Sequence, residues 1–243
     1  MNILRPTSNM DRVTIADRRI AEWLFLITFV TCAYFFAGGG WNQNSQFDLT
    51  RAIVERHTFA IDAYAGNTGD VSAWNGHLYS NKSPALSWIA AIPYAVLHAF
   101  ERARGANPGD AILLEINVWL CSLLCVVLPA ALIAPMLFAY GRRHGIDARW
   151  SAFVALSSVL ATQLLPYMSV FMLHAPSAAL VLYALTTPYR ARAGFAAALA
   201  TAMNYLCAPA LLAFAFVDRR NVGRYIAGAL APIAALAIYQ YLC

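Results

Sequence analysis

The sequence predicts an all-α, polytopic integral membrane protein, and three observations carry that prediction. Of 243 residues, 60% are hydrophobic and only 12% are charged, whereas soluble domains average about 25% charged. Apolar runs recur at about 21–38, 84–100, 111–140, 150–166, 170–188, 193–217 and 222–242, several of them near the roughly 18 residues that span a bilayer. The basic residues cluster at the ends of these runs. A net charge of +5 and a pI of 9.1 thus reflect arginines facing an anionic membrane surface. They are not a nucleic-acid footprint, and no nucleic-acid partner is expected.

Residues 1–20 form a polar leader with Arg5, Arg12, Arg18 and Arg19, expected in the cytoplasm. The run that follows, 23–37, has the length of a signal peptide's apolar core. Its leader is long for an n-region, however, and no A-x-A site follows, so it reads as an uncleaved first helix. The stretch 39–83 is the long polar loop of the chain. Within 46–56, apolar positions 49, 53 and 54 alternate with charges, the pattern of an amphipathic helix lying in the interface. Ser45 or Gln46 is expected to start it, with Asp48 in its first turn, where a carboxylate suits the helix dipole. Asn75-Gly76 reads as a tight turn. Trp41, Tyr64, Trp74 and Tyr79 suit an interfacial aromatic belt.

Charge fixes the expected topology. If every run crossed once from a cytoplasmic N-terminus, the 17 basic residues would divide almost evenly between the two sides. Suppose instead that 84–100, short and carrying Pro84, Pro93 and His98, stays at the outer surface. Suppose also that 193–217 is a hairpin of half-helices broken near Asn204, Tyr205 and Pro209. The inside then holds twelve basic residues, and the outside holds Arg51, Arg56, Lys82, Arg102 and Arg104. The positive-inside rule selects this second model. The cysteines (Cys32, Cys121, Cys125, Cys207 and Cys243) lie in or beside apolar runs without metal spacing. They read as small core residues, with no disulfide implied.

Lys82 is the single lysine among 17 basic residues. It lies in Tyr79-Ser80-Asn81-Lys82-Ser83-Pro84, at the mouth of an apolar run. An ammonium is a compact point charge and a common phosphate ligand, so Lys82 is a candidate phosphate clamp; the plainer reading is a surface lysine in an arginine-rich composition. Asp48 is either a catalytic carboxylate or a helix-terminal acid. Arg51 either binds phosphate or pairs with Asp48 or Glu55 at helical spacing. Asp62 and Asp70 suit turns, and His77 flanks one. Glu115 stands just inside an apolar run, where an acid is a functional candidate unless it pairs with Arg102 or Arg104. His174 sits on an outer corner, and Met168 and Met172 read as packing.

Taken in order, these residues resemble the GT-C glycosyltransferases, in the family-39-like branch that includes protein O-mannosyltransferases and the lipid A aminoarabinose transferase. The resemblance rests on a first helix, an outer-loop helix with Asp48-Leu49-Thr50-Arg51, and Lys82-Ser83-Pro84 opening the next apolar run. The stretches 61–84 and 166–176 add to it, with His174 where an Asp is frequent. It covers about the first 220 residues and departs at Leu49, where a second acid is common, and at Ser83, where a Pro is common. The chain ends at Cys243 where relatives continue, so residues 21–243 are expected to form a GT-C-like module without the usual C-terminal part.

The resemblance implies an enzyme of the bacterial inner membrane with a periplasmic active-site loop. It would move a sugar, with inversion, from a polyprenyl-phosphate donor to an envelope acceptor. Asp48 would be catalytic, and Lys82, Arg51, Tyr79, Asp70, His174 and Glu115 would bind substrate. Membrane lipids and the lipid-linked donor are the partners implied. No metal ligand is assigned, and the residues leave a divalent metal open. The chemistry is coherent without the family: phosphate leaves readily, so a carboxylate must accept the acceptor's proton and a cation must hold the phosphate. The competing reading is a non-catalytic or truncated GT-C-like protein, or a transporter-like or flippase-associated subunit. No internal repeat of the kind transporters show is present.

Overall fold

The computed structural model describes residues 14–107, 109–217 and 219–243; Arg5 and Arg12 lie outside these. The chain is mostly helical. Helix α1 (Ile15–Tyr34) opens with a capping box in which Thr14 Oγ1 accepts from the Asp17 amide at 3.0 Å and Asp17 accepts from the Thr14 amide at 3.2 Å. Such reciprocal bonds satisfy two of the amides a helix start leaves free. The segment Ala111–Arg143 runs antiparallel to α1 and comprises α4 (Ala111–Ser122), a π turn (Leu123–Val127), α5 (Leu128–Ala131) and α6 (Ile133–Arg143). Arg142 Nε donates to Asp17 at 2.9 Å near one end of this pair, and Trp119 Nε1 donates to the Ala33 carbonyl at 3.3 Å near the other.

These contacts define two ends of the bundle. Helices α7 (Ala148–Leu160), α8 (Leu164–Met168), α9 (His174–Thr186), α10 (Arg190–Met203), α11 (Ala208–Val217) and α12 (Val222–Leu242) complete it. Arg143 reaches the Thr186 carbonyl, and Arg190 donates to the Phe214 carbonyl at 2.8 Å. Arg18, Arg19, Arg142, Arg143, Arg149, Arg190, Arg192, Arg219, Arg220 and Arg224 therefore gather at one end, the basic end. The other is the loop end, where the Ala37 amide donates to Ser169 at 2.8 Å. Helix α3 (Ala85–Ala103) starts beside Lys82 and reaches Ala111 through tight turns, with Ala106 N bonded to Glu101 O at 3.0 Å and Asp110 N to Asn107 O at 2.9 Å. Both ends of α3 thus belong to the loop end. The helix break near Asn204 is present, with a single 3₁₀ turn (Tyr205–Cys207) joining α10 to α11.

Among the described residues, two segments are long and apolar enough to cross a membrane: Ala111–Arg143, with mean hydropathy 2.4, and Arg219–Leu242, with 1.5. Where α10 crosses α12, Gly194 lies on the Tyr225 backbone and Gly228 on the Ala191 backbone, so a Cβ at either would overlap a carbonyl. Cys32, Cys121 and Cys125 are buried, and all five cysteines are free.

The segment 39–83 departs from expectation in three ways. Helix α2 spans Trp41–Arg51 and continues as a π turn, Ala52–Arg56. It starts before Ser45, because the Gln43 side chain returns to accept the Gly40 amide at 2.9 Å. Asp48 consequently sits in its C-terminal half rather than its first turn. Nor does α2 float at an interface: Ser45 through Thr50 are all buried, covered by α3 on one side and by residues 65–80 on the other. A two-stranded antiparallel hairpin, β1 (Val71–Trp74) and β2 (His77–Ser80), is an addition to the all-α expectation. Its turn is the expected Asn75-Gly76, both in the left-handed region (φ 49° and 81°), as a two-residue hairpin turn requires.

Candidate functional site

The loop end collects the polar chemistry. Ser45 of α2 donates to the Asp70 carbonyl at 2.6 Å and shares a 2.7 Å hydrogen bond with Ser80. These bonds hold the hairpin against α2. The hairpin register sets Val71 opposite Ser80, which brings Asp70 beside the residues that follow β2. Lys82 Nζ meets Asp70 Oδ2 at 3.0 Å, with side chains 19% and 29% exposed. The pair is half-buried and still open to solvent on one side.

His174, the first residue of α9, lies close enough to Lys82 to feel its charge. Its Nδ1 faces Asn204 Nδ2 at 3.3 Å, and its ring stands edge-on to Tyr167 with centroids 4.8 Å apart. The neighbouring Tyr205 hydroxyl is hydrogen-bonded to Ser83 and accepts from Gln240 Nε2 at 2.6 Å. The tip of the α10–α11 hairpin thus touches the Lys82 segment through Ser83 and α9 through His174. Trp88, Tyr239 and Ile238, with Ile53 and Phe59, line an apolar groove of about 380 Å³, and Tyr239 directly precedes Gln240, which bonds Tyr205.

Asp48 occupies a different setting. It is 2% exposed. Asn67 Nδ2 donates to its Oδ1 at 3.4 Å, while Oδ2 is buried without a hydrogen-bond partner. Burial pushes its carboxyl up to about 7, against the smaller opposing pulls of Asn67 and the Arg51 charge. An ionised carboxylate loses much of its hydration here and regains little. A group poised near neutrality suits proton transfer, but in this closed arrangement it reaches no solvent.

Arg51 does not join the Lys82 site. Its guanidinium pairs with Glu55 at 2.8 Å and stacks 4.1 Å above the Tyr64 ring. Glu55 also accepts from Tyr94 at 2.7 Å and from Tyr64 at 3.1 Å. Burial opposes the charge of Glu55, yet the bonds from Arg51 and Tyr94 outweigh it and hold the carboxyl below its usual range. Of the two readings of Arg51, helical pairing with Glu55 is the one observed.

Tyr79 is a half-buried residue of β2 opposite Ser72 and lines a second groove with His57 and Phe59. His77 pairs with Asp62 at 2.8 Å on the exposed face of the hairpin, where Asp62 also accepts the Leu78 amide at 2.6 Å. That amide bond, with His77 behind it, holds the Asp62 carboxyl below its ordinary value. Glu115 is exposed on α4 and, among the described residues, pairs with neither Arg102 nor Arg104. Nothing brings it to the Lys82 cluster.

Lys82, Asp70 and His174 therefore come together, and Asp48 lies behind the same loop. Arg51 and Glu115 stand apart. Ser45, Asn67, Asn204, Tyr205 and Gln240 were not singled out from the sequence as site residues. Asn204 and Tyr205 did carry a signal, a polar break in an apolar run. Among the described residues no group of three His, Cys, Asp or Glu side chains is arranged to hold a metal ion. No family model, curated protein or solved structure matches this chain.

Proposed function

We propose that the chain is a membrane glycosyltransferase of the GT-C kind, taking a sugar from a polyprenyl-phosphate donor at the outer face of the membrane. The observation that carries this reading is the lone ammonium, Lys82, partly exposed at a loop end that also holds His174 and an open apolar groove. An anionic head joined to a long apolar chain needs such a pair of features. The gathering of arginines at the opposite end supports a cytoplasmic basic end and a periplasmic loop end.

In this reading the donor phosphate displaces Asp70 from Lys82. The acceptor's nucleophilic atom attacks the anomeric carbon from the face opposite the phosphate, so configuration inverts. The bond from the anomeric carbon to the phosphate oxygen breaks, and its electron pair leaves with the polyprenyl phosphate. Asp48 loses its own proton to water once the covering loop opens and restores its hydration, and the resulting carboxylate takes the acceptor's proton. Lys82 holds the growing phosphate charge, which makes its contact stronger along the reaction.

A second reading, a non-catalytic GT-C-like module, draws support from Asp48 being sealed at 2% exposure. One experiment separates the two. The protein in lipid nanodiscs is given radiolabelled polyprenyl-phosphate hexose with envelope extract as acceptor source. Wild type should bind and consume the donor. Lys82→Met keeps the aliphatic stem, loses the charge, and should lower turnover more than binding. Lys82→Arg should rescue only in part, because the guanidinium fork is wider than a point charge. Donor binding without consumption selects the second reading, and the absence of binding by wild type defeats both.

A further inference from the structure

The hydrogen bonds at the α10–α11 tip determine where His174 carries its proton. The Asn204 Oδ1 atom accepts the Leu206 amide at 3.2 Å, which turns the Asn204 amide so that its Nδ2 faces His174. Nδ2 bears two hydrogens and accepts nothing. His174 Nδ1, 3.3 Å away, must therefore be the acceptor. A neutral imidazole with an unprotonated Nδ1 carries its hydrogen on Nε2. The charged and titratable neighbours fit this state. Burial and, to a smaller extent, the Lys82 charge disfavour an imidazolium, Asp70 is already engaged by Lys82, and Tyr167 offers the ring contact.

We propose that Asn204 is a positioning residue that fixes His174 as the Nε2–H tautomer, so that a neutral donor joins the Lys82 ammonium in binding a phosphate oxyanion. The choice of ligand rests on the transferase reading; the tautomer does not. A neutral donor beside a cation suits a phosphate better than two adjacent cations, since it adds a hydrogen bond without a second charge to bury. Tyr205 serves the same tip from its other side by anchoring Ser83, the residue after Lys82.

The test is imidazole ¹⁵N spectroscopy of the full chain in detergent micelles, with His174 assigned by comparison with His174→Gln. In wild type at neutral pH, Nε2 should be protonated and Nδ1 bare. In Asn204→Asp the new carboxylate accepts from Nδ1, so both nitrogens should be protonated at that pH. In Asn204→Leu, similar in size but without a donor, the fixed preference for Nε2–H should be lost. A wild-type proton on Nδ1, or unchanged spectra in both variants, overturns the proposal. Inorganic phosphate and polyprenyl phosphate are then added separately. Movement of the Nε2 signal with either, weakened at least tenfold in Asn204→Leu, supports the anion site. A response to inorganic phosphate but not to the lipid keeps the site and removes the lipid-linked donor. No response to either overturns the anion role.

Discussion

Asp48→Asn should make the protein both more stable and inactive. The carboxyl is raised from 3.8 to about 7, chiefly by burial, a displacement of about three units, or about 4 kcal/mol as an upper estimate. The sign follows from which state holds the proton. Below pH 3.8 the carboxyl is protonated folded and unfolded, and its burial adds no pH-dependent cost. Between 3.8 and about 7 the unfolded chain ionises while the folded carboxyl keeps its proton, so stability falls as pH rises. Above about 7 the loss is complete. An asparagine can still accept the Asn67 hydrogen bond and never ionises. Thermal melting in detergent at about pH 8 should therefore show Asp48→Asn melting above wild type, and the difference should vanish near pH 4. Turnover should fall by about 10²–10⁴, the usual contribution of a general base. Equal melting of the two proteins at both pH values would refute the burial argument. More than roughly half of wild-type turnover in the Asn variant would refute the base.

Two further outcomes follow from the packing and the proposed topology. Gly194→Ala and Gly228→Ala should each lower the melting temperature, because a methyl group at either site overlaps a carbonyl of the crossing helix; overpacking of this kind costs about 1–3 kcal/mol. Gly223→Ala, with no atom within 4 Å of its added Cβ, is the control and should melt as wild type. In a chain without its native cysteines, a cysteine at position 105 should react with an impermeant thiol reagent from the periplasmic side. Reaction only from the cytoplasmic side would mean that α3 crosses the membrane.

What the sequence made legible was local. The helix break at Asn204 follows from a polar residue in an apolar run, and the Asn75-Gly76 turn from two residues that tolerate positive φ. The extent of α2 was not legible, because it depends on Gln43 folding back onto Gly40. The hairpin strands escaped notice as well. At four residues each, they are shorter than typical strands and are held partly by Ser45, a residue of another element. Glu115 drew attention by its depth in an apolar run, yet α4 turns that position outward, and no periodicity in so uniformly apolar a segment announces which face does so.

The pairing of charges in the loop explains the state of Asp48 better than any feature of Asp48 itself. The described loop holds four acids: Asp48, Glu55, Asp62 and Asp70. Glu55 takes Arg51 because four residues separate them on one helical face, the spacing at which opposite charges meet. Asp62 takes His77, the residue that follows the hairpin turn. Asp70 takes Lys82 because the register returns the chain to it after β2. Arg56 is hydrogen-bonded to Tyr64. Each nearby cation is thereby engaged, and Asp48 is left with one long bond from Asn67 and a buried, unpartnered oxygen. Such a group stays protonated more readily than it ionises. Its elevated proton affinity is thus a property of the whole loop. Breaking the Arg51–Glu55 pair with Glu55→Gln would free the Arg51 charge toward Asp48, one helical turn away, and would draw its proton affinity back down.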